Sequence, residues 1–174
     1  DNIDPGYLPA VTVNGEVYGI PGDYAMGSGF FYNKKVYAKH NLSVPMTWAA
    51  LMDNCEKIKA GGDVCVHQTF GTDWTSQIVH LGSHCIIENS IPGWYKLYGS
   101  NKAKWSTTPA GMRGWEKQQE LFDRGFINED HPSSTLEEGF KAVATGSSAH
   151  YAMLTFATGD FQSGYPDQLN DIGY

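Results

Sequence analysis

Tyr18-Gly-Ile-Pro21, a glycine-rich turn, Gly29-Phe-Phe-Tyr-Asn-Lys-Lys-Val-Tyr37 and Leu42-Ser-Val-Pro-Met-Thr-Trp48 follow one another within a single short stretch. Two strand-like runs flank a glycine loop at residues 22–29, and a Pro-Met-Thr-Trp start then opens a helix. Upstream, Val11-Thr-Val13 and Glu16–Ile20 bracket Asn14-Gly15, the strongest short-range hairpin signal. Asp1–Ala10 reads as an irregular lead-in. Downstream, Thr47 is a good N-cap, and Trp48, Leu51, Met52, Cys55 and Ile58 recur at helical spacing up to Gly61-Gly62. Asp63–His67 then reads as a buried strand. A strand alternating with a helix in this way points to an α/β sheet.

The same alternation continues to the end of the chain. Thr69–Asp73 is a polar turn, Trp74–Leu81 a short helix, and Pro92–Lys104 a loop or short helical insertion. Thr108-Pro109 supplies an N-cap with proline in the first turn of a helix that stops at Gly125. Thr135 caps a further helix carrying Leu136, Phe140 and Val143, with Gly146 after its end. Ala149–Phe156 and Asp171–Tyr174 read as strands. Asp171–Tyr174 has the character of a cut edge, because an apolar strand normally continues or meets a turn.

Composition narrows the function classes. A chain of 174 residues can bury roughly 70% of its unfolded surface, enough for one real core. The net charge of −7 and the scarcity of basic residues speak against nucleic acid and against an anionic membrane surface. No apolar run is long enough to span a bilayer. Three cysteines leave at least one unpaired and lack metal-ligand spacing. Cys55 falls on an apolar helix face and reads as a small buried hydrophobe, while Cys65 and Cys85 could either pair in an oxidising compartment or fill the core.

The motif order resembles the middle of the bacterial extracellular solute-binding proteins that deliver sugars to ABC importers. Leu121-Phe-Asp-Arg-Gly-Phe-Ile-Asn-Glu-Asp130, Glu138-Gly-Phe-Lys-Ala-Val-Ala-Thr-Gly-Ser-Ser-Ala149 and Asn170–Tyr174 extend the likeness over nearly the whole chain. The resemblance implies a periplasmic-binding-protein-like α/β lobe, a central mixed sheet flanked by helices. It assigns residues 1–29 to the end of a first lobe and the hinge approach, and residues 30–174 to a second lobe truncated at its last strand. It also implies a non-enzymatic carbohydrate receptor outside the cell or in the periplasm, partnered by a permease and without cofactor; a stand-alone interaction module derived from the lobe, forming a homo-oligomer through the exposed lobe face, is an alternative. His150 and Leu154-Thr-Phe156 depart from the usual pattern, where methionine follows Ala149 and a Gly-x-Trp segment stands at the strand end.

A sugar presents flat CH faces and hydroxyl edges, so its site needs planar aromatics and short polar groups. Trp74 and Asp73, after the turn at residues 69–72, fit those needs; the competing roles are a core tryptophan and a helix cap. Phe156 matches by position the aromatic that packs on sugar in relatives, against a plain core phenylalanine. Tyr24 and Ser28 lie on the glycine loop at the lobe junction, where ordinary turn chemistry is the alternative. His67, His80 and His84 invite a metal-dependent hydrolase reading, but Gly82 interrupts the pair and the glutamate of a His-Glu-x-x-His helix is absent. The carboxylates at 123, 129, 130, 137 and 138 sit at helix ends, where they complement the macrodipole.

Overall fold

The computed structural model describes residues 4–20 and 26–174. The lead-in contains one short helix, α1 (Leu8–Val11), where the sequence suggests irregular chain. Strands β1 (Thr12–Val13) and β2 (Glu16–Val17) form the expected hairpin as a separate two-stranded ribbon. Its tip places Asn14 at φ 52° and Gly15 at φ 86°, and a two-residue turn with both φ positive matches the twist of the strands it joins.

The main sheet has four strands in the order β4-β5-β3-β6: β3 (Ser28–Asn33), β4 (Val64–His67), β5 (Ser148–Leu154) and β6 (Ile172–Gly173). β4 and β5 pair in parallel, whereas β3 runs antiparallel to both β5 and β6. The fold is thus a mixed α/β sheet. β5 lies between two partners, and Ser148–Met153 are all buried.

Period-two alternation covers both faces of this sheet. Phe30, Tyr32 and His150 meet rings from α2 (Lys34–Lys39) and α3 (Trp48–Ala60), in the pairs Phe30–Trp48, Tyr32–Tyr37 and Tyr37–His150. The alternate residues Phe31 and Tyr151 meet Phe161 and Phe140 instead. Those two rings come from α9 (Ala157–Gly164) and α8 (Leu136–Thr145). Between β4 and α8 lie a 3-10 turn (Asp73–Gln77), α4 (Ile78–Leu81), α5 (His84–Ser90), α6 (Trp94–Gly99) and α7 (Pro109–Asp123). Helices α5 and α9 have no counterpart among the sequence expectations, because both are short and only weakly periodic.

Local capping chemistry follows the sequence in some places and not in others. The Thr47 side chain accepts from the Ala50 amide, as its position before Trp48 implies. Thr135 and Glu138 form a complete capping box: the Glu138 amide donates to Thr135 Oγ1 and the Thr135 amide to Glu138 Oε2. Thr135→Ala should therefore lower unfolding free energy by about 1 kcal/mol in denaturant titration; an unchanged midpoint would count against the box. Thr108 does not cap α7. Its hydroxyl is buried, donates to the Lys104 carbonyl and accepts from the Trp94 indole, so these two partners take it away from the first amides of α7.

The cysteine pairing differs from the expectation. Cys55 and Cys65 are disulfide-bonded, with Cα atoms 5.1 Å apart, and Cys85 is free and exposed. Cys55 sits on the buried face of α3, and the turn at residues 61–63 brings β4 back along that face. Cys65 therefore lands opposite Cys55. Cys85 rides on α5, and its thiol contacts the Gly82 carbonyl at 3.9 Å.

Candidate functional site

β5 ends where β3 begins, since Ser28 pairs with Leu154 in the register, and β4 stops just short of that line, with His67 level with Tyr151. In open α/β sheets the crevice beyond the carboxyl ends of parallel strands is where ligands bind. Here that edge carries Ser28 at the start of β3, Thr155-Phe156 after β5, and the turn bearing Asp73 and Trp74 that follows β4. The edge is held by backbone and by one hydroxyl: the Thr155 amide donates to Gly27 O (3.0 Å) and the Gly27 amide to Thr155 Oγ1 (3.2 Å).

Trp74 and Phe156, far apart in sequence, have ring centroids 6.1 Å apart with planes inclined at 47°. Trp74 is 38% exposed, which sets aside the core-tryptophan alternative, whereas Phe156 is half-buried and also packs against the main core. Phe156 stands just after β5, in helical conformation ahead of α9, so the ring leaves the sheet at its edge. Asp73 is exposed and opens the 3-10 turn. Ser28 is exposed, its hydroxyl 3.5 Å from the Ile78 carbonyl. Tyr24 lies outside the described residues. Two aromatic faces, one carboxylate and one hydroxyl thus share one side of the sheet.

Among the described residues, two grooves near this edge are lined by neither Trp74 nor Phe156. A groove of about 480 Å³ runs over Phe30, Tyr32, Met46, Trp48 and Tyr174, and one of about 210 Å³ touches Ser28, Val79 and Lys117.

The histidines do not assemble as one set. His67 is buried and hydrogen-bonds the hydroxyls of Ser148 (3.0 Å) and Ser134 (2.9 Å) through its two nitrogens. His80 stacks on Trp115 at 3.8 Å, and His84 packs on Trp105. Among the described residues the three-residue cluster of metal-ligating atoms is Cys55, Cys65 and His150. Its two sulfurs are tied in the disulfide and offer no thiolate. His150 itself is fully engaged. The Cys65 carbonyl can only accept, so His150 Nδ1 carries the proton (2.8 Å) and Nε2 accepts from the Tyr37 hydroxyl (2.6 Å). Burial pushes the Tyr37 hydroxyl up to about 12 and holds the imidazole down at about 4, so both stay neutral at pH 7.

Sequence reasoning missed the residues beneath the site. Thr69, Thr75 and Tyr151 form a buried chain of hydroxyls under the Asp73–Trp74 turn. Only the polar turn at residues 69–73 hinted at it, and nothing in the sequence ties that turn to a tyrosine in β5.

Comparison with known proteins identifies the family to which the chain belongs. The model of the bacterial extracellular solute-binding protein family matches residues 1–173, and the chain belongs to that family. Among curated proteins, it is 46% identical over 170 residues to an uncharacterised ABC transporter extracellular-binding protein of Pyrococcus horikoshii. That match takes in 97% of this chain but 38% of the relative, so the chain spans about two-fifths of its length. Among solved structures, a chitin oligosaccharide binding protein superposes with a TM-score of 0.77 at 26% identity, over 95% of this chain and 40% of that one. A structure from work on xylan utilisation by Caldanaerobius polysaccharolyticus gives 0.79 at 22% identity, over 98% and 43%. A solute-binding protein in complex with raffinose gives 0.68 at 21% identity, over 98% and 44%. The last two likenesses establish the fold.

Proposed function

We propose that this chain is the second-lobe half of a two-lobed carbohydrate receptor serving an ABC importer outside the cytoplasmic membrane. Residues 1–29 approach the hinge and residues 30–174 form the lobe. The observation that carries this reading is the Trp74–Phe156 ring pair at the carboxyl edge of the sheet, with Ser28 and Asp73 on the same edge. Trp74 offers an apolar face to a sugar ring, while Asp73 and Ser28 offer an acceptor and a hydroxyl to its edges. Sugar bridging both lobes would stabilise a closed state that docks on the permease. The work is binding, with the helix-end carboxylates left to structural roles. The Cys55–Cys65 bridge fits the oxidising side of the membrane.

One lobe supplies half of the contacts, so the chain alone binds weakly. Titration with chito-oligosaccharide, xylo-oligosaccharide and raffinose, followed by backbone and indole NMR, is expected to give a millimolar response from at least one of them, centred on Asp73, Trp74 and Phe156. Trp74→Ala should weaken that response about tenfold or more, as loss of one stacking face implies. Shifts confined to the Phe30–Trp48 groove, or an affinity indifferent to Trp74, would overturn the assignment. So would submicromolar binding by this chain alone, since a shared cleft would then be unnecessary.

A further inference from the structure

Gly139 in α8 faces the ring of Tyr151 so closely that an added Cβ would lie 2.5 Å from Cζ and 2.7 Å from Cε1, and 2.9 Å from Thr69 Cγ2. No side chain fits there, so the glycine opens a slot that lets the tyrosine lie under the loop after β4. The Tyr151 hydroxyl then meets Thr69 Oγ1 at 2.7 Å, and Thr69 Oγ1 meets Thr75 Oγ1 at 2.9 Å. The single proton of Thr75 Oγ1 is in turn shared between the carbonyls of Thr69 (2.7 Å) and Thr72 (2.9 Å). With Thr75 donating to backbone, Thr69 donates to Thr75 and Tyr151 donates to Thr69, one direction throughout. Burial raises the Tyr151 hydroxyl well above the usual phenol range, which keeps it a donor.

This chain closes a ring around the turn that carries the site. Thr69 and Thr75 bracket Asp73 and Trp74, and the Thr72 and Thr75 amides donate within that turn to Thr69 O (2.9 Å) and Thr72 O (3.0 Å). On its outer side the loop is held by α8 and the residues before it: the Gly71 amide donates to Ser134 O, and the Leu136 amide to Thr72 Oγ1. Tyr151 belongs to β5, the strand whose end delivers Phe156. A single buried hydroxyl therefore links the two segments that bring the aromatic rings together.

We infer that Tyr151, seated by Gly139, is a positioning residue that fixes the Trp74 turn relative to Phe156 through Thr69 and Thr75. Its use in sugar binding rests on the reading above, but its effect on the turn does not. Tyr151→Phe keeps the ring and removes the donor. Thr69→Val removes the next hydroxyl and keeps the shape.

The test is amide hydrogen exchange in the sugar-free protein. Either variant is expected to speed exchange at the Thr72 and Thr75 amides at least tenfold, with α8 beyond its first turn and the β5 ladder unchanged and the Trp74 indole resonance displaced. The double variant should exchange no faster than the stronger single one, because both cut the same chain. Gly139→Ala should reproduce the effect from the opposite side. Unchanged exchange at Thr72 and Thr75 in Tyr151→Phe, or an increase spread equally through α8 and β5, would overturn the inference. Sugar titration of the same variants separates the two claims. A loosened turn with no response to any sugar, in wild type included, sinks the carbohydrate reading and leaves the positioning role standing. A turn that stays rigid in Tyr151→Phe and Thr69→Val, in a protein whose wild type binds sugar, does the reverse.

Discussion

Replacing Cys55 and Cys65 together by alanine is expected to lower unfolding free energy by about 3 to 5 kcal/mol. Closing a loop of about ten residues removes denatured-state entropy worth about 3 kcal/mol. Removing the two sulfurs of these buried cysteines, Cys55 at 0% and Cys65 at 1% exposure, also leaves small voids where α3 packs on β4. Denaturant unfolding of the oxidised protein and the double variant reads the difference directly. Thiol titration provides the companion check: one group, Cys85, should react in the native protein, and the other two only after unfolding with reductant. Three thiols reacting at once, or a stability difference below about 1 kcal/mol, would contradict the bridge.

Acidification should destabilise the fold through His150 by a comparable amount. The imidazole is held at about 4 in the folded chain, against about 6.5 when exposed. The unfolded state therefore binds the proton first, and stability falls as pH drops from about 6.5 to about 4. The full difference is about 3 kcal/mol, lost by pH 4 and below. Protonation would also break the donor pattern, because charged imidazole cannot accept the Tyr37 hydroxyl. His67, lowered by burial between two hydroxyls, titrates in the same direction. Stability of wild type and His150→Gln should therefore be measured at pH 7 and pH 4.5. The variant, with no group to charge there, is expected to lose clearly less between the two pH values; parallel losses would assign the acid sensitivity elsewhere.

The parts of this fold legible in the residues are those set by local rules. Asn14-Gly15 fixes its turn because both residues tolerate positive φ. Thr47 and Thr135 start their helices because their side chains reach amides only three positions ahead. The apolar runs at residues 29–33 and 64–67 announce β3 and β4, and the order of motifs led to the family. Short elements such as α5 and α9 were not legible, since a helix of seven or eight residues draws its stability from tertiary packing more than from its own sequence.

The candidate site divides along the same line. Trp74, Asp73, Phe156 and Ser28 could be nominated from residue chemistry and motif position. Their convergence depends on β5 pairing with β3 and β4 at one register, which joins segments more than eighty residues apart. The choice of Cys55 over Cys85 as the partner of Cys65 was likewise decided by how α3 folds back on β4. Local sequence specifies each turn and cap because its partners lie within a few residues. Ring pairs, disulfide partners and the hydroxyl chain beneath Trp74 are meetings across the sheet, and only the packed chain brings their atoms within reach.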